Sequence, residues 1–294
     1  YLMKVLVTGK GGQLAWELEQ NLPADYQLIS LGIEDLDITD AVAVNKAFAL
    51  YQPDILINAA AYTAVDKAET DQIVAYAVNE TGAKNLALAC KATNCRMLHV
   101  STDFVFAGNK TTPYQTDEVA EPINVYGASK LAGDLAVHDI LPDAVIVRTA
   151  WVYSVNGNNF VKTMLRLMTE KPQLGVVYDQ VGTPTWAAGL ANWLWAVAAK
   201  PQVSGMYHWT DAGVASWYDF AVAIQELAIE KGMLAKAIPI RPIPGSAYPT
   251  PAKRPSFSVI DKTSAEAAAD VQTIHWRQQL SAMLDDLKSR KSRN

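Results

Sequence analysis

From Met3 to Ala150, short and mainly apolar runs alternate with stretches of helical period, and no other feature of the chain constrains its fold so tightly. MKVLVT (Met3 to Thr8), YQLISL (Tyr26 to Leu31), DILINAAA (from Asp54), RMLHVST (Arg96 to Thr102) and AVIVRTA (Ala144 to Ala150) read as strands. Helical patterns fall between them at Gln13 to Leu22, Ala41 to Tyr51, Ile73 to Thr93 and from near Ala128. Strands this apolar must be covered on both faces, and helical crossovers between parallel neighbours put the cover there.

The expected class is therefore α/β, a doubly wound, Rossmann-like parallel sheet over residues 1–150. Beyond Thr149 the rhythm loosens, and seven of the eight tryptophans fall from Trp151 onward. Residues 151–294 are expected to form a smaller, mixed C-terminal domain that binds substrate, with segments near 174–210 returning to the sheet. Ile240 to Pro255 is too rich in proline for a regular helix. It is either a connector or, with Arg241, Lys253 and Arg254, a segment folded over a ligand. A last apolar helix, His275 to Leu287, is expected to dock on the body, and the tail SRKSRN to fray.

Composition removes several function classes. A chain of 294 residues that is 50% hydrophobic can bury a large core. Its net charge of -5 disfavours nucleic acid, while leaving room for a local basic pocket that takes one small anion. Met3 to Val7 is too short for a signal or spanning helix, so no membrane partner is expected. Tyr1 and Leu2, ahead of Met3, are left out of the fold argument. Cys90 and Cys95 have neither the number nor the spacing of a disulfide framework or zinc site, which suits a reducing cytoplasm.

TGKGGQLA (Thr8 to Ala15) lies between the first strand and first helix. Gly9, Gly12 and Ala15 give G-x-x-G-x-x-A, with Gly11 added, so the backbone can turn sharply and approach a pyrophosphate. The helix that follows offers unpaired amides and a positive dipole end. Gly9, Gly11, Gly12, Gln13 and Leu14 are accordingly candidate cofactor contacts. A carboxylate ending the second strand would bind ribose hydroxyls and repel a 2′-phosphate, but Leu31-Gly32 stands there, followed by Glu34 and Asp35. No arginine stands nearby to clamp that phosphate. The sequence permits NADPH or NADH and leans to NADPH. Asp37 and Ile38 could meet the adenine, although Asp37 reads equally as a helix cap with Asp40.

YGASK (Tyr126 to Lys130) places a phenol and an ammonium four residues apart, on one helical face. The lysine is expected to lower the phenol's pKa and to hold a ribose, making Tyr126 a proton donor near neutral pH. STDFVF (Ser101 to Phe106) ends the fourth strand, so the Thr102 hydroxyl sits at a carboxyl edge, where open parallel sheets bind ligands.

The glycine loop, Tyr126/Lys130 and Thr102 together resemble the short-chain dehydrogenase/reductase superfamily in its extended, two-domain branch. NAAA (Asn58 to Ala61) and NETG (Asn79 to Gly82) are similar to its further motifs. More specifically, NAAAYTAVDKAE, VSTDFVFAG, VYGASKLAGD, RTAWVY, NNFVKTM, DQVGTPTW and AYPTPAKRPSFS resemble, in that order, the dTDP-4-dehydrorhamnose reductase family. The resemblance implies hydride transfer from NAD(P)H to C4 of a nucleotide-linked ketosugar, with Tyr126 protonating the new hydroxyl and Thr102 orienting the carbonyl. It implies that Ala59, Ala60, Ala61, Thr63 and Asn79 lie along the cofactor. Val65, Asp103, Phe104 and Trp151 would lie near the sugar, with Asn159 and Arg254 near the diphosphate. Ala15, Gly32 and Phe104 depart from the residues common in the family.

Magnesium aids assembly in some relatives, but no carboxylate cluster supports it here, and Asp285-Asp286 reads as a solvated face. His99 reads as a core residue, His138, His208 and His275 as scattered, and Trp193 and Trp195 as packing. A monomer or homodimer is expected. Two other readings stay open: an epimerase or dehydratase that retains its NAD, and a non-catalytic regulatory subunit of the same fold.

Overall fold

The computed structural model describes residues 1–293. Its first half runs β1 (Met3–Thr8), α1 (Gln13–Gln20), β2 (Tyr26–Leu31), α2 (Ala41–Tyr51), β3 (Ile55–Asn58), α3 (Val65–Ala68), α4 (Gln72–Tyr76), α5 (Ala83–Thr93), β4 (Arg96–Thr102), α6 (Val125–Ile140) and β5 (Val145–Thr149). The second half adds β6 (Val152–Tyr153), α7 (Phe160–Glu170), β7 (Leu174–Val177), β8 (Val181–Gly182), β9 (Thr185–Trp186) and α8 (Ala187–Ala198). It closes with β10 (Gly205–His208), β11 (Ala215–Ser216), α9 (Trp217–Glu230), β12 (Ile240–Ile243), α10 (Thr263–Ala269) and α11 (Trp276–Arg293).

Six strands form one sheet in the order β10-β5-β4-β3-β1-β2, every neighbour parallel. The chain is thus an α/β protein with a doubly wound sheet. Alternate residues of each strand enter different cores, as a two-sided sheet requires. Val5, Val7, Ile55 and Ile57 pack with Leu14, Leu18, Leu190 and Trp193 of α1 and α8. Leu6, Leu56, Met97 and Ile146 pack with Val44, Phe48, Leu86 and Val137 of α2, α5 and α6. The order reverses between β1 and β3, so the crevice at their carboxyl ends is the place for a ligand.

Three boundaries differ from the expectation. The helix foreseen over Ile73 to Thr93 is interrupted by a π-helical turn at Ala77–Gly82. There the buried Asn79 bonds outside the helix, and a Cβ on Gly82 would come within 2.7 Å of Ile38. α6 starts at Val125, ahead of Ala128, because the Asn124 side chain accepts from Gly127 N at 2.7 Å and caps it. The tail is helical as far as Arg293, the end of α11, and Asn294 lies outside the described residues.

Beyond β5, Gly205–His208 return to the sheet as its edge strand. Trp193 and Trp195 are core residues whose ring N–H groups donate to Ala265 O and Leu18 O. A third core gathers Val161, Met164, Phe220, Ile224, Leu280 and Leu284 from α7, α9 and α11. The proline-rich segment begins as β12, paired with β7, where an edge position tolerates Pro242. No helix among the described residues is long and apolar enough to cross a membrane.

Candidate active site

The carboxyl edge of the sheet opens into a cleft of about 980 Å³. At one end is the glycine loop. Gly9 has φ +89°, and a Cβ there would lie 2.7 Å from Ala59 O, so only glycine lets β1 and β3 deliver their loops so closely. Gly11 has φ +95°, yet a Cβ on it would meet nothing within 4 Å, so that side of the loop is open space. Gly12 caps α1 without a side-chain bond, leaving the first amides of the helix free for an anion. Gln13 and Leu14 line the same end.

Next to the glycine loop, Gly32, Asp37 and Ile38 bound the cleft. Asp35 folds back to accept from Gly32 N at 2.9 Å and does not line the cleft. Asp37 accepts from Thr39 N and Oγ1, which hold its carboxyl below the usual range. Asp40 makes the α2 cap, accepting from Val42 N and Ala43 N. Lys10 also lines the cleft, and its amide donates to Leu31 O at 3.1 Å, which stands it beside the end of β2. With no arginine near this point, the cation beside the end of β2 is this lysine inside the glycine loop.

Ala59, Ala60, Ala61 and Thr63 line the middle of the cleft. Asn79, grouped with them in the sequence, does not. Its Oδ1 accepts from Tyr62 N at 2.9 Å, and its Nδ2 donates to Tyr62 O and Ser129 Oγ. Turned inward by the π-helical turn, it fastens the loop after β3 to α6.

At the far end stand Thr102, Tyr126 and Lys130. Thr102 Oγ1 donates to Asp103 Oδ1 at 3.1 Å and accepts from Phe104 N at 3.1 Å. Gly127 lets α6 touch this strand end, since a Cβ there would lie 2.1 Å from Phe104 O. Tyr126 meets Phe104 edge-on, with centroids 5.9 Å apart. Lys130 is buried, and its Nζ donates to Val100 O at 2.7 Å. Burial pushes its ammonium pKa down, and the nearby Asp134 opposes that fall.

The phenol runs against expectation. Burial pushes the Tyr126 pKa well above its ordinary value, the Thr102 hydroxyl lowers it, and the charges of Asp103 and Asp134 raise it further. Desolvation is the largest cause, and the Lys130 ammonium is aimed at Val100 O. Beside it, Asp103 is pushed up to about 7 by burial, against the opposing pull of Ser258 and Thr102.

Val65, Asp103, Phe104 and Trp151 form the cleft wall beside Thr102 and Tyr126. Trp151 has φ +50°, an unusual conformation for an aromatic residue, and its indole lies face to face on Trp217, centroids 3.6 Å apart. Trp217, also in the cleft, was missed in the sequence. Its signal was S-x-x-D at Ser216 and Asp219, a capping box that opens α9.

The proline-rich segment folds over the cleft rim. Arg254 reaches Asp66 through both guanidinium nitrogens, at 2.8 and 3.1 Å, and Asn124 Nδ2 donates to Lys253 O at 2.8 Å. Arg254 lines the cleft, whereas Asn159 does not. Asn159 caps α7 through Lys162 N and donates to Gln13 Oε1 and Ser154 O. Among the described residues, no three His, Cys, Asp or Glu side chains gather as a metal site.

Comparison with known proteins gives this geometry its context. Residues 3–289 match the model of the RmlD substrate binding domain family. The chain is 40% identical over 286 residues to a protein of Aggregatibacter actinomycetemcomitans named dTDP-4-dehydrorhamnose reductase, covering 95% of this chain and 97% of that one. A crystal structure of a dTDP-4-dehydrorhamnose reductase from Clostridium acetobutylicum superposes with TM-score 0.92 at 40% identity, over 97% of this chain and 100% of that one. A Bacillus anthracis dTDP-4-dehydrorhamnose reductase, solved in complex with NADP, also superposes with TM-score 0.92, at 33% identity and the same coverage.

Proposed function

The chain belongs to the dTDP-4-dehydrorhamnose reductase family, and from that membership we propose that it reduces the C4 ketone of dTDP-4-dehydro-β-L-rhamnose to dTDP-L-rhamnose with NADPH or NADH. One observation carries the reading. Thr102, Tyr126 and Lys130 stand at one end of a single cleft whose other end is the open glycine loop and the uncapped start of α1.

The residues present fit a dinucleotide. The open space over Gly11 and the free amides after Gly12 suit a pyrophosphate, with Gln13, Leu14 and Ala59 to Thr63 along its length. The preference leans to NADPH, because Asp35 is folded into its own turn and Lys10 offers a cation. When bound, the nicotinamide supplies the hydride.

Tyr126 donates its proton to the C4 oxygen as negative charge develops there, and solvent restores the proton afterwards. A phenol held above its usual pKa still serves, because the alkoxide formed at C4 is a much stronger base than a phenolate. Thr102 orients the carbonyl. Lys130 has one N–H on Val100 O, which leaves two for ribose hydroxyls. Val65, Asp103, Phe104 and Trp151 surround the sugar, and Arg254, steadied by Asp66, faces the diphosphate. The reaction belongs to the cytoplasm, where reduced cofactor and nucleotide sugars are supplied.

The test is oxidation of NADPH and of NADH, followed by absorbance, with dTDP-4-dehydrorhamnose generated in situ. Consumption of cofactor matched by dTDP-L-rhamnose supports the reading. No oxidation of either cofactor sinks it.

A further inference from the structure

We propose that Trp217 is a positioning residue for the sugar: stacked on Trp151, it holds that indole as a wall of the cleft and so sets how the ketone meets Tyr126. This rests on the nucleotide-sugar reading above and adds a residue from outside the sheet edge.

Trp151 sits at φ +50°, where a side chain crowds its own backbone, and such a conformation persists only when its surroundings enforce it. Three contacts do so here. Trp217 covers the indole face to face, with centroids 3.6 Å apart and planes within 10°. Gly182 backs the same ring so closely that a Cβ would come within 2.9 Å of its Cε2. Trp151 O accepts from Thr185 N at 3.0 Å, tying the backbone to β9.

Trp217 is itself held firmly. It is the first residue of α9, behind a capping box in which Ser216 and Asp219 exchange bonds of 3.0 Å. Phe160 and Phe220 lie behind it, with centroids at 4.9 and 6.5 Å. The stack therefore transmits the rigidity of the C-terminal core to a residue at the sheet edge. Both tryptophans remain partly exposed to the cleft that holds Thr102 and Tyr126. A hexose ring presents apolar C–H faces that pack on an indole, so a fixed indole fixes the ring's tilt.

The experiment compares Trp217→Leu and Trp217→Phe with the wild type, using dTDP-4-dehydrorhamnose generated in situ and NADPH. Leucine keeps apolar contact with Phe160 and Phe220 but removes the stack. For Trp217→Leu the expected results are a KM for the nucleotide sugar raised about ten-fold, a lower kcat, an unchanged KM for NADPH and a near-normal unfolding midpoint. Trp217→Phe, which keeps a stacking face, should recover most of the loss. Unchanged sugar constants in Trp217→Leu overturn the inference. So does a loss shared equally by sugar, cofactor and unfolding midpoint in both variants, which marks general loosening. A wild type that turns over no nucleotide sugar removes the functional reading itself, and this inference with it.

Discussion

His99 Nε2 lies 3.1 Å from Asp134 Oδ1, with both side chains buried, and this contact ties the cofactor-side strands to the helix of Tyr126 and Lys130. Burial holds the His99 pKa down, so the ring is neutral and its Nε2–H donates. Its Nδ1 then accepts from Asn58 Nδ2 at 3.0 Å, and Asn58 Oδ1 accepts from Thr8 Oγ1 and Ala60 N. Ser101 Oγ donates to the other Asp134 oxygen. The chain of donors runs from the end of β1 to the carboxylate one helical turn beyond Lys130.

Asp134→Asn preserves shape and removes charge. Lys130 then loses the group that opposes its desolvation, and Tyr126 loses one that raises its pKa. The other ionisable groups around them, His99 on β4, Asp103 after it and Arg148 on β5, stay in place. Both effects move the alkaline limb of the kcat profile to lower pH, since the ammonium and the phenol each lose their proton sooner. Asp134→Glu should leave the limb nearly in place. A profile for Asp134→Asn that overlays the wild type would remove the charge from any catalytic part.

Tyr126→Phe deletes one hydroxyl and keeps the ring that packs edge-on against Phe104. Loss of a general acid should lower kcat by roughly 10²- to 10⁴-fold. NADPH affinity, measured by fluorescence titration, should change little, because Lys130 and the glycine loop remain. Near-normal turnover in this variant would exclude the phenol as proton donor.

Asp103→Asn tests the buried carboxyl by stability. Burial pushes the folded carboxyl up to about 7, well above the ordinary value of 3.8. The native state therefore binds this proton more tightly, and the associated stability is present below about pH 4 and lost as pH rises to about 7. Asparagine removes that loss while still accepting from Thr102. At pH 8 the variant should be more stable than the wild type, by on the order of a few kcal/mol, with the difference vanishing near pH 4. Asp211, also pushed up to about 7, slopes the same way, and His208, held down to about 3, slopes the other way below about 6.5. Subtracting variant from wild type cancels both. Parallel denaturation curves at pH 4 and pH 8 would show that Asp103 carries no such proton.

β1, β2, β4 and α2 were legible to the residue, because mainly apolar runs of strand length and an apolar stretch opened by the Asp40 cap leave few alternatives. The cleft was legible too, since glycines after the first strand and hydroxyls at strand ends fall at a parallel sheet's ligand edge. What escaped depended on contacts distant in sequence. Asn79 and Asn159 carry motif positions, yet their amides bind neighbouring backbone and side chains, which spacing alone does not reveal. Trp217 meets Trp151 only because α9 docks beside β6 and β9. The Tyr126 shift reversed because desolvation is a property of the packed site, whereas the Y-x-x-x-K spacing speaks only of proximity.

Lys10 offers the sharpest test of cofactor choice. It lies between Gly9 and Gly11, beside the end of β2, where a carboxylate would otherwise repel a 2′-phosphate. Asp35 is turned away into the Gly32 turn, so along that stretch of cleft wall Lys10 has Asp37 as its remaining acidic neighbour. An exposed lysine facing a phosphate contributes about 1 kcal/mol, screened by salt. Lys10→Ala should therefore raise the KM for NADPH about three- to ten-fold at low ionic strength, and less at high salt. The KM for NADH should barely move, because that cofactor carries no phosphate there. Equal losses for both cofactors would mean that Lys10 supports the glycine loop and does not read the phosphate.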